Sequence, residues 1–325
     1  MSINQEPLHI VIDADTGIDD SIALLYALKT PAIRVHGIIA SYGNTKAEQA
    51  AENTLRIVAL ASPGYEVPVL LGASHSLNGK GTGSVDASVH GENGIGGVIL
   101  PASPQQLLPE PAEVFLARTA QELNDRLILV TLGRLTTFAN ALMQYPGLKN
   151  DLAGVVSMGG TIYVPGNVSP CAEANIYGDP EAAEYALCSG VPFTLVGLDV
   201  TTKTRLTTKQ IQASLSAATP ENRPVWEYIE AATRHYMDFY HRVEGLLGNC
   251  PLHDPSAIIC ALRPDLFTVR SYRAHVECGG DYCRGKIVVD ERHRPFDGPD
   301  IRACVDVDAQ GVLEELFRVL GGTGT

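Results

Sequence analysis

Positive charge is scarce in this chain: 24 Lys and Arg stand against 37 Asp and Glu over 325 residues, a net charge of −13. Nucleic acid and anionic membranes are gripped by Lys and Arg that neutralise phosphate, so the balance argues against both as partners. No stretch is uniformly apolar enough to span a bilayer. The longest charge-free run, 152–172, is broken by Gly154, Gly159, Gly160, Pro165, Gly166, Asn167 and Pro170. The start, MSINQEPLHIVID, has no basic segment and carries Glu6, so no secretory signal is read and a cytoplasmic location is expected. The seven cysteines are odd in number, scattered and without a CxxC pair, which suits free thiols in a reducing compartment. Linkers, repeats and low-complexity segments are also missing, so 1–325 is expected to be a single domain. The glycine-rich stretch 79–97 then reads as an active-site loop.

What is present is an alternation of short apolar segments with helical ones. Segments 8–13 (LHIVID), 33–40, 126–133, 153–160 and 192–198 are rich in Val, Ile and Leu and read as buried strands. Helical patterns near 19–29, 46–60, 112–123, 136–144 and 180–189 separate them. The alternation predicts an α/β fold with a mostly parallel, Rossmann-like central sheet flanked by helices. A helical C-terminal third is expected over 207–216, 221–243 and 255–262, with short strands near 267–277 and 301–307 and a last helix capped by Asp308. Ligands of such sheets sit beyond the carboxyl ends of the strands, so chemistry is sought just after each one.

The densest chemistry follows the first strand. DADTGIDD (13–20) places Asp13, Asp15, Asp19 and Asp20 within eight residues. Two carboxylates about 5 Å apart repel by roughly 3 kcal/mol at an effective dielectric near 20. A fold tolerates that with a bound cation or partial protonation. Oxygen-only donors on a turn suit a hard ion, Ca²⁺ or Mg²⁺, rather than Zn²⁺. Helix capping accounts for Asp19 or Asp20 but gives Asp13 and Asp15 no purpose. The strand-D-x-D-x-T pattern also resembles the nucleophile motif of haloacid-dehalogenase-type phosphatases, on Asp13, Asp15 and Thr16, but that family's downstream residues have no evident counterparts.

Further blocks extend the pattern: SYGN (41–44), VHGENGIGG (89–97), VTLGRLTTFANAL (130–142), MGGTIYVPGNVSPCAEANIYGDPEAA (158–183) and HDPSA (253–257). Together, and in this order, they resemble the inosine-uridine-preferring nucleoside hydrolases. The departures are Ala14, Thr16 and Thr137, none at an implied metal or ribose ligand.

The resemblance implies Ca²⁺-dependent hydrolysis of the N-glycosidic bond of purine or pyrimidine ribonucleosides, giving ribose and free base in nucleoside salvage. It implies Ca²⁺ held by Asp15, Asp20, Asp254 and the Leu132 carbonyl. Asp15 would be the general base toward a metal-positioned water, with Asp13 orienting its neighbours from behind. Asp19, Asn44 and Asn175 would bind the 2′- and 3′-hydroxyls, and Asn167 and Glu173 the 5′ side, a set that favours nucleosides over nucleotides. His253, beside Asp254, is the candidate acid for the leaving base. His90 is expected at the ribose or base, and Met158 along the sugar. Residues 235–252 are expected to form a lid over the base, offering Tyr236, Tyr240 and His241. His90 and His253, with Trp226 the sole tryptophan, fit the inosine/uridine or pyrimidine branch better than a Trp-sandwiched purine site. The resemblance further implies a homodimer or homotetramer. The rival readings are a Mg²⁺-dependent phosphatase and a non-catalytic nucleoside-binding protein.

Overall fold

Strand β1 (Leu8–Ala14) lies in the interior of a sheet because Ile10, Val11, Ile12 and Ala14 are apolar and buried on both faces. The computed structural model describes residues 6–79, 87–294 and 296–322. Among these, the further strands are β2 (Ile33–Ala40), β3 (Val69–Leu71), β4 (Leu127–Thr131), β5 (Leu152–Met158), β6 (Phe193–Val196), β7 (Arg205–Thr207), β8 (Asn249–Pro251), β9 (Phe267–Val276), β10 (Ile287–Val289) and β11 (Asp300–Val307). Nine of them form one sheet in the order β10-β9-β11-β6-β5-β4-β1-β2-β3, and β7 pairs with β8 separately. All pairings from β3 to β11 are parallel; β9 and β10 add an antiparallel edge.

The strands expected from the sequence appear within one or two residues of their expected limits, and the two in the last third join the main sheet. Strands β3, β7, β8 and β10, three residues each, were not anticipated: so short a segment carries no readable alternation.

The topology positions the site. From β1 the chain adds β2 and β3 toward one edge, then returns to add β4, β5 and β6 toward the other. Neighbouring connections therefore diverge between β1 and β4, and a crevice opens beyond their carboxyl ends. Asp13 and Asp15 close β1 there, and Leu132 follows β4, its N–H bonded to the Asp13 carbonyl at 2.7 Å.

The helix Ile18–Lys29 starts at this crevice and is buried from Ile18 to Leu28. It packs against the helices Ala47–Ala61, His253–Leu262 and Ala309–Leu320, with each buried Leu or Ile contributing about 1.5–3 kcal/mol. Its packing on His253–Leu262 carries Asp254 to the crevice. That helix begins at His253, so Asp254 lies in its first turn. Trp226 is fully buried, stacked 5.8 Å from Phe317 with its indole N–H on the Leu320 carbonyl, so it is a core residue. All seven cysteines are free, and no helix among the described residues is long and apolar enough to cross a membrane.

Candidate active site

A cavity of about 500 Å³ opens at the crevice, a size that suits a small organic ligand. Asp15, Asp19, Asn44, His90, Leu132, Met158, Asn167, Glu173, Asn175, His253 and Asp254, all singled out in the sequence, line it.

The carboxylates are fixed by local backbone. Asp15 Oδ2 accepts the Asn44 N–H at 2.6 Å, and Gly43 runs so close to it that a Cβ there would collide with the carboxylate. Asp20 Oδ2 accepts the Gly17 N–H at 2.8 Å and the Asn44 amide at 2.9 Å, capping the helix it belongs to. Asp19 Oδ2 accepts the Tyr236 hydroxyl at 3.1 Å. Asp19, Asp20 and Asp254 hold carboxylate oxygens within 4.8 Å of one another, all buried. Burial first, and then the charge of Asp20, pushes the Asp15 carboxyl well above its usual range; burial and then Asp19 do the same to Asp254. Asp19 is pushed up to about 7, again mainly by burial.

Asp15 Oδ1 and Asp20 Oδ1 are buried and receive no hydrogen bond from the protein. Two acceptors without donors, inside a set of mutually repelling carboxylates, are the environment a hard divalent cation satisfies. Asp15, Asp19, Asp20 and Asp254 therefore fit such an ion, although the tightest trio contains Asp19 where the sequence pointed to Asp15. The Leu132 carbonyl accepts the Asn175 side-chain amide at 2.6 Å and keeps a second lone pair.

Asp13 is buried behind this group and does not line the cavity. It accepts the Ser41 hydroxyl at 2.5 Å, and Ser41 meets Thr137 at 2.8 Å. Thr137, one of the departures in sequence, thus braces the layer beneath the site. Thr16 is spent on Thr54 at 2.7 Å. This geometry removes the phosphatase reading, which needs Asp13 exposed as nucleophile.

On the opposite wall Glu173 is the N-cap of the helix Ala174–Gly178. It accepts the N–H groups of Gly160 at 2.7 Å and Asn175 at 2.9 Å. Gly160 adopts φ +69°, which turns the chain at the end of β5 and aims that N–H inward. Asn167 Oδ1 accepts the Ala174 N–H at 3.0 Å.

A polar chain runs along the cavity wall at Tyr240 and His253. Thr201 Oγ1 lies 2.7 Å from His253 Nδ1, and His253 Nε2 lies 2.9 Å from the Tyr240 hydroxyl. That hydroxyl is 3.5 Å from Tyr236, which donates to Asp19. Burial pulls His253 down to about 4, so its imidazole is neutral near pH 7. His90 Nδ1 accepts the Ile18 N–H at 3.1 Å, so its proton sits on Nε2. No packing need for His90 was evident in the sequence; this bond at the start of the helix Ile18–Lys29 supplies one.

His241 is a correction. It is exposed and does not line the cavity, because Tyr236, Phe239, Tyr240 and Val243 occupy the inward face of the helix Arg223–Glu244 and the next residue turns away. That helix ends at Gly245 (φ +71°) and leads to β8, so residues 235–252 comprise a helix end, a turn and a strand. In the glycine-rich loop, residues 80–86 lie outside the described ones.

Sequence reasoning missed Arg134, which lines the cavity with its guanidinium 4.4 Å from the Tyr42 ring and its charge beside Asp15 and Glu173. Its place just beyond β4 was the available signal. The i, i+3, i+4, i+7 spacing of Tyr236, Phe239, Tyr240 and Val243 was another.

Residues 10–314 match the family described as inosine-uridine preferring nucleoside hydrolase. Uridine nucleosidase 1 of Arabidopsis thaliana is 34% identical over 313 residues, covering 94% of this chain and 90% of that protein. The pyrimidine-specific ribonucleoside hydrolase RihA of Salmonella gallinarum is 36% identical over 315 residues, covering 96% and 98%. The solved structure of a purine-preferring ribonucleoside hydrolase from Gardnerella vaginalis superposes with a TM-score of 0.89 at 34% identity, covering 96% and 98%.

Proposed function

The chain belongs to the inosine-uridine preferring nucleoside hydrolase family, whose members act on N-glycosidic bonds, and we propose that it cleaves pyrimidine ribonucleosides of the uridine type with a resident Ca²⁺. The observation that carries the reading is the pair of donorless oxygens on Asp15 and Asp20, within a buried carboxylate cluster open to the cavity. Asp15, Asp20, Asp254 and the Leu132 carbonyl would hold the ion, with Asp19 alongside. When bound it supplies Lewis acidity that lowers the pKa of a water and grips vicinal hydroxyls.

The residues around it divide the work. Asp15, oriented by the Asn44 N–H on its Oδ2, takes the proton from the attacking water. Asp13, through Ser41, keeps the end of β1 in place. Asp19, Asn44 and Asn175 bind the 2′- and 3′-hydroxyls, and Asn167 and Glu173 the 5′-hydroxyl. Among the described residues the cavity presents five carboxylates (Asp15, Asp19, Glu173, Glu244 and Asp254) against one guanidinium, Arg134, which disfavours a phosphate at C5′.

Electron density that builds on the departing base needs a proton. Tyr240 donates its hydroxyl hydrogen, and the tyrosinate so formed is steadied by a hydrogen bond from His253 Nε2–H, held by the Thr201 contact at Nδ1. The proton that Asp15 took from water returns to Tyr240 through solvent as the products leave. His253 thus acts through Tyr240 rather than directly, and residues 235–252 cover the base. The uridine and pyrimidine names of the two curated relatives support the base preference, and salvage of ribose and base follows as the role.

Ribose release from a panel of ribonucleosides, with and without a calcium chelator, tests the reading, with phosphate release from a nucleotide followed in parallel. Chelator-sensitive ribose release, fastest from uridine or cytidine, is expected. Absence of ribose from every nucleoside with folded, calcium-replete protein would overturn it.

A further inference from the structure

Away from the cavity, Glu184, Cys188 and His275 bring a carboxylate, a thiol and an imidazole together at the surface, with donor atoms all within 4.8 Å of one another. Glu184 lies in the helix Pro180–Leu187, and Cys188 is that helix's C-cap, one turn further on. His275 is on β9, against which the helix packs. Glu184 Oε1 is 2.7 Å from His275 Nδ1 and 3.4 Å from Cys188 Sγ, so three donors converge on one point.

The outer contacts are those a metal site requires. His275 Nε2 lies 3.0 Å from the Asp297 carbonyl, to which it donates, leaving Nδ1 to face the point of convergence. Glu184 Oε2 accepts the Val276 N–H at 2.7 Å, which orients Oε1 the same way. A thiolate, a carboxylate and a neutral imidazole carry two negative charges, which a divalent ion cancels. Sulfur and imidazole donors select a borderline-soft ion over the hard one suited to the aspartate cluster. Metal–ligand distances of about 2.0–2.3 Å set tetrahedral donors about 3.3–3.6 Å apart. The Glu184–Cys188 separation has that value already, and the Glu184–His275 pair opens by less than an ångström. Cys188 is exposed, so water completes the coordination.

We propose that Glu184, Cys188 and His275 form a Zn²⁺ site that staples the C-terminal end of the helix Pro180–Leu187 to β9. Binding breaks the Cys188 S–H bond and displaces the proton shared by Glu184 and His275. Both protons leave to solvent and no electrons move.

Reduced full-length protein, saturated with Ca²⁺ to fill the aspartate cluster, is titrated with Co²⁺ as an optical probe. A thiolate-to-cobalt charge-transfer band saturating at one equivalent is expected, bleached by one equivalent of Zn²⁺. The aspartate cluster contains no sulfur and contributes no such band. Cys188→Ser should abolish the band while keeping wild-type ribose release and melting temperature in the absence of zinc, showing an intact fold. His275→Gln should weaken cobalt binding by at least about tenfold. Zinc should raise the melting temperature of the wild type and not of Cys188→Ser. Absence of the band in the wild type would overturn the site. So would a band that Cys188→Ser retains, which would belong to another thiol such as the Cys171–Cys283 pair, 3.6 Å apart.

Discussion

Replacing Tyr240 with Phe removes a single oxygen from the cavity wall. The ring stays supported by its edge contacts with Tyr236 at 4.9 Å and Phe239 at 5.3 Å, so the fold should survive. What goes is chiefly the 2.9 Å contact with His253 Nε2, with the longer 3.5 Å contact to Tyr236, at a residue only 6% exposed. One lost hydrogen bond to a buried neutral imidazole costs about 1–2 kcal/mol of stability, a fall of a few degrees in melting temperature. The catalytic loss should be larger. Proton donation by a positioned group is worth roughly 10²–10⁴ in rate, or about 2.7–5.4 kcal/mol of barrier. The assay compares uridine with p-nitrophenyl β-ribofuranoside, whose phenolate leaves without a proton. Tyr240→Phe should cut kcat on uridine at least about 100-fold and change kcat on the nitrophenyl riboside by only a few-fold. An equal fall on both substrates would refute the relay and make Tyr240 a packing residue.

Three further outcomes are expected. Carboxylates within 4.8 Å of one another repel by at least about 3 kcal/mol at an effective dielectric near 20, so Asp254→Asn should raise the melting temperature of the calcium-free protein while shrinking the rise that Ca²⁺ produces; differential scanning calorimetry reads both. Gly43→Ala should displace the Asp15 carboxylate and lower kcat about 100-fold with little change in far-UV circular dichroism, and unchanged kcat would detach Asp15 from the chemistry. Burial and the neighbouring His9 pull His36 down to about 4 from 6.5, so between these values the unfolded chain binds more protons. His36 therefore contributes stability that is complete above pH 6.5 and lost as the pH falls toward 4; urea midpoints across that window should slope less in His36→Gln.

The first strand, the acidic turn after it and the helix beyond were legible because each is a local pattern: an apolar run, four carboxylates in eight residues, then an unbroken apolar helix. His253 and Asp254 were legible through their adjacency to each other and to Pro255. Arg134 was not read, because its place just beyond a strand end marks a candidate position but not where the side chain packs. His241 was misplaced because three polar aromatic residues within six positions offer a choice of helix face, and only packing makes the choice. The bond from Ile18 to His90 spans 72 residues, a distance over which no spacing rule reaches.

By itself the sequence determined the elements, their order and the chemical kinds of donor at the strand ends, since these follow from short-range periodicity and composition. The tertiary structure alone decided which carboxylates share a point in space, that Asp13 lies buried behind them on Ser41, and that Tyr240 and His253 meet at the cavity wall. Those outcomes depend on the divergence of the chain between β1 and β4 and on two helices, Ile18–Lys29 and His253–Leu262, packing side by side. Contacts between segments more than two hundred residues apart are settled by the burial of apolar surface across the whole core, which no local window contains.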